Sequence, residues 1–370
     1  MNNKKIILQI YINENLGDDL FLDIISKRYP DTKFVVFGIG DRKIPPIYNN
    51  KYSNVEIVKF RNNLFRYFNM ILKVLLKKDC ALNRYLKDAD GMVILGGSVF
   101  IDSPLPFEAY KSKLLAKVRT NILKVNKPMF VIGANFGPVF HDSFKSQYKF
   151  IFQNSVDVCF RDSNSKKYFN NLENVRKSTD VIFCHKNEIA KTEKNSVAIS
   201  IIDLSDKSHK KIAQYQSIYE NNMIRIINEF VDANYIVNLY SFCCNQGDCK
   251  AIDRILNQVK NKEFVFKHYY SNLNISSFIR HFSSNEYVLA TRFHSLILGL
   301  KNKQKVYSII YDQKTRDFLK DLNISTFCEL NQMESLELGN IINAEIYTSI
   351  DRLVDESNNQ FIALDEFLMK

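Results

Sequence analysis

The sequence lacks the segments that mark membrane-spanning and secreted proteins. No stretch approaches the roughly 20 uninterrupted apolar residues that a membrane-spanning helix needs, and the apolar run after residues 1–5 is too short for a signal peptide. The seven cysteines are odd in number and mostly lie in strand-like contexts, which favours reduced, buried thiols. We therefore expect a cytoplasmic protein.

Motifs for metal ions and nucleic acids are also missing. The one cysteine cluster, Cys243 and Cys244 with Cys249, has neither a second CxxC pair nor a nearby histidine, so we expect no metal site. The net charge of +11 favours an anionic partner. Because the basic residues are spread along the chain and no RNP, helix-turn-helix or KH signature occurs, that partner is not expected to be nucleic acid. Phosphorylated small molecules and a membrane surface remain.

What the chain does contain is enough apolar material for two cores. Its 370 residues are 46% apolar, and at this length one core usually gives way to two. Short β-branched runs alternate with helical patterns, as in parallel βαβ units. We predict an α/β protein of two Rossmann-like, doubly wound parallel-sheet domains at 1–190 and 191–345, joined at a polar stretch. A C-terminal helix at 346–370 could pack back on the first domain.

The same patterns place the individual elements. Strands are predicted at 5–12, 33–37, 55–60, 92–95, 129–132 and 156–160 in the first domain, and at 196–202, 235–239, 264–267, 287–290 and 306–310 in the second. Helices are predicted near 211–232, 249–261, 293–302 and 314–321, and over 345–369 with a break near 357–359.

Doubly wound domains bind ligands at the carboxyl ends of their strands, so we expect the active site in a cleft between the two domains. The first strand is followed by Asn15, Gly17, Asp18 and Asp19. Gly17 permits a tight turn, and either aspartate could cap the next helix. A capped turn does not need Asn15 and two adjacent carboxylates, which indicates a ligand role for Asn15 or Asp18.

Two further strands run into glycine-bearing turns. The strand at 92–95 is followed by Gly96, Gly97 and Ser98, and the next strand by Gly133 to Pro138, which includes Asn135. Such turns can bring backbone N–H groups against an anion or a sugar, although they could also be purely steric. We predict that they line a binding site.

Basic residues end three other strands. Arg161 could grip a phosphate or carboxylate, or simply pair with Asp162. The sharpest segment is Thr291-Arg292-Phe293-His294-Ser295, where two basic side chains and a hydroxyl meet the start of a helix. This pattern predicts an anion site with a proton-transfer group, while a buried core histidine is the simpler alternative. Lys314 begins a helix beside this motif and is expected to contact phosphate.

In their order and spacing these pieces resemble the polysaccharide pyruvyl transferase family over about residues 12–320. The matching pieces are Asn15-Leu16-Gly17-Asp18-Asp19, Leu95-Gly96-Gly97-Ser98, Gly133 to Pro138, Arg161-Asp162 with Ser165, Thr291 to Ser295, and Lys314. The chain departs from the pattern after its glycine pair, where Ser98 stands in place of the third glycine of many relatives.

The resemblance implies a GT-B-like fold, phosphoenolpyruvate as donor, no cofactor, and a sugar acceptor that becomes a pyruvate ketal as phosphate is released. It implies that Arg161, Arg292, His294 and Lys314 hold the donor, with His294 also the acid. We add Ser295 to the donor side and Asp18 as the base on the acceptor. Acceptor contacts are assigned to Asn15, Asp19, Gly97, Ser98 and Asn135.

Two other interpretations stay open. The same architecture serves GT-B glycosyltransferases that use nucleotide sugars. The chain could instead be a non-catalytic protein that binds an anionic sugar or a membrane surface, an interpretation supported by a basic, apolar segment at 61–78. A helix buried against the sheet is the favoured explanation of that segment. If it is exposed, it suits a lipid-linked acceptor for exopolysaccharide or capsule synthesis, with the protein peripheral at the inner face of the cell membrane.

Overall fold

The computed structural model describes residues 4–38, 46–48, 51–58, 80–186, 188, 190–205 and 212–369. The chain divides into two compact units. The first comprises Met1–Asn13, Phe21–Cys184 and Val354–Lys370, and the second comprises Glu14–Leu20 and His185–Leu353. Each contains one sheet in which every strand pair is parallel. The predicted α/β class with two Rossmann-like domains is confirmed.

The first sheet has the order β3-β2-β1-β4-β5-β6-β7. Its strands are β1 (Lys5–Ile10), β2 (Lys33–Gly38), β3 (Val55–Ile57), β4 (Gly91–Phe100), β5 (Met129–Phe136), β6 (Asp157–Phe160) and β7 (Val175–Lys177). The helices between them are α1 (Leu16–Arg28), α2 (Cys80–Lys87), α3 (Pro106–Ile122), α4 (Asp142–Gln153) and α5 (Ser163–Lys167). The segment at 61–78, which could contact a membrane, lies outside the described residues.

The second sheet has the order β10-β9-β8-β11-β12-β13. Its strands are β8 (Glu193–Ile201), β9 (Ile236–Ser241), β10 (Val265–Tyr269), β11 (Asn285–Ala290), β12 (Lys305–Ile310) and β13 (Phe327–Glu329). The helices are α6 (Gln216–Asp232), α7 (Asp248–Gln258), α8 (Ile275–Ser283), α9 (Phe293–Lys301), α10 (Gln313–Asp321), α11 (Leu338–Ile342), α12 (Ile350–Asn358) and α13 (Ile362–Met369). Among the described residues, no helix is both long and apolar enough to span a bilayer.

Both sheets reverse their winding beside their first strand, between β1 and β4 and between β8 and β11. Ligands of open α/β sheets bind at the carboxyl ends of the strands at this switch point. The segments that follow these four strands are therefore the first places to look for function.

Two strands are longer than the sequence predicts. β4 continues through Gly96 and Gly97 to Phe100, and β5 continues through Gly133 to Phe136. These three glycines have φ of 65°, 72° and 67°, a region that other residues rarely adopt. Pairing resumes after register shifts in both strands, so the glycines form bulges within the strands and do not end them.

The C-terminal segment completes the first unit. Gln360 accepts a hydrogen bond from the backbone N–H of Gly133 at 2.8 Å and donates to the carbonyl of Thr179 at 2.8 Å. Arg28 donates to both carboxylate oxygens of Asp365. Since Gln360 is 1% exposed, its amide satisfies backbone groups that would otherwise be buried without partners.

The first turn of α1 belongs to the second unit, although the sequence placed all of residues 1–190 in the first domain. The backbone N–H of Leu16 donates to the carbonyl of Phe242 at 3.0 Å. The Tyr270 hydroxyl donates to Asp19 at 2.8 Å. These hydrogen bonds join the turn to the segments that follow β9 and β10.

A half-buried histidine makes the second unit sensitive to acid. The His268 ring lies 4.0 Å from the His281 ring, and its Nε2 is 2.9 Å from Asn238 Oδ1. Burial, together with the charge of His281, lowers the pKa of His268 to about 4. Because the unfolded pKa is about 6.5, stability is fully present above about pH 6.5 and is lost as the pH falls toward 4.

We expect the free energy of unfolding to fall by roughly 1–2 kcal/mol over that range on account of His268, a value reduced because the side chain is half-buried. Urea unfolding at about pH 7 and about pH 4.5 measures it. His268→Gln, which does not titrate, should lose less stability on acidification than the wild type. Equal losses in both proteins would contradict the prediction.

Candidate active site

The Arg292 side chain lies at the switch point of the second sheet, directly before α9. Its Nε donates to Asp248 Oδ2 at 3.0 Å, Nη2 donates to Asp248 Oδ1, and Nη1 donates to Gln246 at 2.6 Å. Arg292 is 8% exposed and Asp248 is fully buried. The guanidinium is therefore fixed in one orientation by a two-pronged ion pair.

Burial acts on both members of this pair. It raises the pKa of Asp248 above its ordinary value, while Arg292 and the backbone N–H of Cys243 oppose that shift. Burial alone would lower the pKa of Arg292, but the Asp248 carboxylate raises it well above its usual range. Arg292 thus stays charged, as an anion-binding residue must.

The loop that carries Gln246 and Asp248 is tightly built. Gly247 has φ of 87°, and a Cβ at this position would overlap the Asp203 carboxylate. Cys244 and Cys249 are joined as a disulfide with Cα atoms 5.1 Å apart, which corrects the expectation that all the cysteines are reduced. That expectation came from the composition, and it could not anticipate that the start of α7 brings these two residues together.

His294 meets the α1 turn. A Cβ at Gly17 would overlap the His294 ring, so a glycine is needed here for close approach. The sequence attributed Gly17 to a tight turn, but it is not among the glycines with positive φ. Two segments far apart in sequence, one after β1 and one after β11, are therefore in contact through the half-buried imidazole.

The three polar residues of the α1 turn contact different neighbours. Asn15 accepts a hydrogen bond from the backbone N–H of Gly17 at 3.1 Å, so it caps the helix that Asp18 or Asp19 was expected to cap. Asp19 is 1% exposed and binds Tyr270. Asp18 is 9% exposed and lies close enough to Cys243 that its charge helps to raise the pKa of that thiol.

Ser295 and Lys314 complete the surroundings of Arg292. Ser295 is fully buried, and its hydroxyl lies 2.6 Å from Ser200 Oγ and 2.6 Å from the Arg292 carbonyl. This geometry fits a residue that holds the start of α9 better than one that touches a donor. The Lys314 ammonium lies 5.5 Å from the Phe293 ring centroid and 3.3 Å from Asp312, beside the Arg292–His294 motif as predicted.

A second polar network lies in the first unit. Arg161 is 6% exposed and donates to Asp180 at 2.9 Å and to Asn135 Oδ1 at 2.8 Å. The same amide oxygen accepts the Ser98 hydroxyl at 2.9 Å. Arg161 therefore pairs with Asp180, while Asp162 caps α5 by accepting the N–H of Ser165.

This network brings together residues from three adjacent strand ends. Ser98 is in β4, Asn135 is in β5, and Arg161 follows β6. Gly97, next to Ser98, is opposite Ala134 in the sheet. The two glycine-bearing segments and the arginine thus share one edge of the first sheet, as the sequence predicted.

Comparisons with known proteins identify the family of the chain. The family model described as polysaccharide pyruvyl transferase matches residues 15–313, a span that contains both networks. The chain belongs to this family. Amylovoran biosynthesis protein AmsJ of Erwinia amylovora is 24% identical over 361 residues, which cover 88% of this chain and 83% of that protein. The chain is a transferase of polysaccharide biosynthesis.

Solved structures are similar to nearly the whole length of this pyruvyl transferase family member. The UDP-GlcNAc 2-epimerase of Methanocaldococcus jannaschii is similar with a TM-score of 0.56 and 9% identity, covering 98% of this chain and 99% of that one. TarM of S. aureus is similar with a TM-score of 0.51 and 12% identity, covering 99% of each chain. At such identities the similarity shows the fold, which is of the GT-B type.

Sequence reasoning missed the partners of the basic residues in this family member. Asp248 and Gln246 precede Arg292 by more than 40 residues, and Asp180 follows Arg161 by 19. One signal was available, because Asp248 begins a helix after β9, at the sheet edge where Arg292 also lies. Nothing in the spacing shows which aspartate pairs with which arginine.

Proposed function

We propose that the protein transfers a pyruvyl group from phosphoenolpyruvate to two hydroxyls of one sugar. The sugar belongs to a surface polysaccharide or to its lipid-linked precursor, and the product is a pyruvate ketal with inorganic phosphate. The observation that carries the proposal is the contact of His294 with the α1 turn beside the rigidly held Arg292. It combines an anion-binding group, a titratable group and a carboxylate, Asp18, in one unit.

Donor binding follows from charge. Phosphoenolpyruvate carries a phosphate and a carboxylate, which call for several fixed cationic donors. Each of the three guanidinium nitrogens of Arg292 donates one N–H, two of them to Asp248 and one to Gln246. Because each terminal nitrogen carries two N–H groups, one N–H on each of them remains for a ligand. Lys314 and the N-terminus of the nine-residue α9 add positive potential. We assign Arg161 to the donor as well.

The chemistry requires two proton transfers from the acceptor. We propose that His294 protonates C3 of the enol, so that one sugar hydroxyl can add to C2 after losing its proton to Asp18. The C2–O bond to phosphate then breaks, and the second hydroxyl closes the ring on C2. Of the two hydroxyl protons, one balances the proton given to C3 and the other leaves with phosphate.

The acceptor residues are proposed from the polar surface of each unit. Ser98 and Asn135 are held together in the first unit, and Gly97 is assigned with them because it precedes Ser98 in β4. Asn15 is assigned to the acceptor through its place in the α1 turn. Asp19, buried against Tyr270, serves the acceptor only by holding that turn in place.

A lipid-linked acceptor would bring the protein to the membrane surface. The start of α3 supports this part of the proposal, because Leu105, Phe107 and Tyr110 are 54%, 66% and 46% exposed. Lys111 and Lys113 lie in the same turns of the helix. Exposed aromatic residues next to lysines suit the interface of an anionic membrane.

Phosphate release tests the proposed function. With phosphoenolpyruvate and a panel of p-nitrophenyl hexopyranosides, the wild type should release phosphate only when an acceptor is present. His294→Ala should lose turnover by about 10²- to 10⁴-fold, and Lys314→Ala should raise the KM for phosphoenolpyruvate. Lys320→Ala, on the same helix, is the matched control and should change neither.

The rival interpretation has a different product. A nucleotide-sugar glycosyltransferase would release a nucleotide and would show no thermal shift with phosphoenolpyruvate. Absence of acceptor-dependent phosphate release from the wild type, together with the absence of such a shift, would therefore overturn the proposal. Turnover of His294→Ala within threefold of the wild type would remove His294 from its role as the acid.

A further inference from the structure

An aspartate–histidine pair lies in the segments that follow β4 and β5 of the first sheet, outside the residues assigned so far. Asp102 follows β4 by two residues and His141 follows β5 by five. The Nδ1 atom of His141 is 3.1 Å and 3.0 Å from the two carboxylate oxygens of Asp102. The Asp102 side chain is fully buried, whereas that of His141 is 37% exposed.

The surroundings of Asp102 keep it ionised. Burial alone would raise its pKa, but hydrogen bonds from the backbone N–H groups of Phe140, Ser103 and His141, and from the His141 ring, lower it below its ordinary value. The three backbone contacts measure 2.8, 2.9 and 2.7 Å. A carboxylate with three such donors accepts a fourth hydrogen bond from the imidazole Nδ1–H.

This contact decides which nitrogen of His141 is basic. With its proton on Nδ1 and facing Asp102, the neutral ring presents Nε2 as a proton acceptor. Nε2 has no hydrogen-bond partner among the residues that the structure describes. A base oriented by a buried carboxylate is the arrangement that activates hydroxyl groups in hydrolases and transferases.

The pair is tied to the strands that carry the proposed acceptor residues. The backbone N–H of Asp102 donates to the Pro138 carbonyl at 3.0 Å, and that of Gly137 donates to the Phe100 carbonyl at 2.8 Å. Ser98 is in β4, four residues before Asp102, a separation of about 13 Å in extended chain. Ser98, Asn135 and the pair therefore share one sheet edge.

A structural role explains only half of this arrangement. Asp102 fixes the turn after β5 through its bonds to the backbone N–H groups of Phe140 and His141. Those bonds use the main chain, and any residue other than proline at position 141 would leave them in place. The imidazole is not needed for the turn.

We propose that His141 is a general base that removes the proton from one of the two acceptor hydroxyls, and that Asp102 is its positioning residue. The inference rests on the proposed function, in which two hydroxyls each lose a proton. The proton moves from the hydroxyl oxygen to Nε2 as the C–O bond to C2 forms, and it leaves with the phosphate.

The test uses the full-length protein with phosphoenolpyruvate and the same hexopyranosides. His141→Ala should lower kcat by about 10²- to 10⁴-fold while the KM for phosphoenolpyruvate stays within threefold. Added imidazole should restore part of the activity, because the site is half-exposed. The control is Asp142→Ala, one residue along the chain, which should keep the wild-type kcat.

A double-mutant cycle examines Asp102. Asp102→Asn should lower kcat when His141 is present and should have little effect in the His141→Ala background, since a positioning residue acts only through the group it orients. A merely structural Asp102 would lower activity equally in both backgrounds.

The outcomes are distinguishable. If the wild type releases phosphate and His141→Ala keeps its kcat within threefold, or is not rescued by imidazole, the inference is wrong and the proposed function stands. If the wild type releases no phosphate with any hexopyranoside, both fall together.

Discussion

Asp248→Asn should lower the free energy of unfolding by about 3–5 kcal/mol. The substitution keeps the shape of the side chain but removes the negative charge that faces Arg292, which is almost completely buried. A buried guanidinium without its counter-charge is costly, because the protein interior cannot solvate it as water does. Urea unfolding followed by fluorescence or circular dichroism measures the loss.

The matched control is Asp253→Asn, on the same helix α7. Asp253 pairs with Lys267 at 2.9 Å at the surface, where an ion pair contributes at most about 1 kcal/mol. Equal stability of the two variants would show that the Arg292–Asp248 pair does not support the fold.

A double variant separates stability from function. Arg292→Met with Asp248→Leu replaces the ion pair with apolar side chains, a change that is often neutral for stability. We expect it to unfold closer to the wild type than Asp248→Asn does, while the thermal shift with phosphoenolpyruvate is lost.

Gly17→Ala should reduce turnover about as strongly as His294→Ala, by about 10²- to 10⁴-fold. The new Cβ would overlap the His294 ring, which must then rotate away from the α1 turn. Because the ring can move, we expect the loss in the free energy of unfolding to stay within about 1–3 kcal/mol. Phosphate release and urea unfolding on the same samples measure both effects.

Gly339→Ala provides the control, since both glycines lie in helices. A Cβ at Gly339 would meet nothing closer than Asn343 Nδ2, at 4.0 Å. Gly339→Ala should leave turnover unchanged in the same assay. Wild-type turnover in Gly17→Ala would mean that the position of the His294 ring does not matter for the reaction.

The sequence was most informative where apolar runs ended in polar residues. The Arg292 segment was expected between a strand and a helix, and it lies between β11 and α9. An apolar strand followed by a helical pattern leaves little choice about where the turn falls. The short strands β7 and β13 were not predicted, because three residues are too few to show an alternation of apolar and polar side chains.

Helix α8 was missed for a different reason. Its apolar residues have helical spacing and are buried, so the sequence does contain the signal for this helix: Ile275, Phe278, Ile279 and Phe282. The strand extensions could not be foreseen, since a glycine after an apolar run reads as the end of a strand. In β4 and β5 it permits a bulge instead.

Contacts between segments that are far apart in the chain could not be predicted from the sequence. The reason for a glycine at position 17 is the His294 ring, which is 277 positions away along the chain. The histidine at 141 received no role, because the pattern does not show that a buried aspartate 39 residues earlier faces it. Such pairings depend on the strand order, which apolar periodicity does not specify.

The division of the chain has a consequence for how the protein is synthesised. The first unit uses Val354–Lys370, and the second uses Glu14–Leu20. A ribosome that has made the first unit's whole sheet has not yet supplied Gln360, the amide that pairs with Gly133. Until the entire second unit has been translated, the backbone N–H of Gly133 lacks the partner that it has in the folded protein. The first unit therefore cannot reach its final state before then.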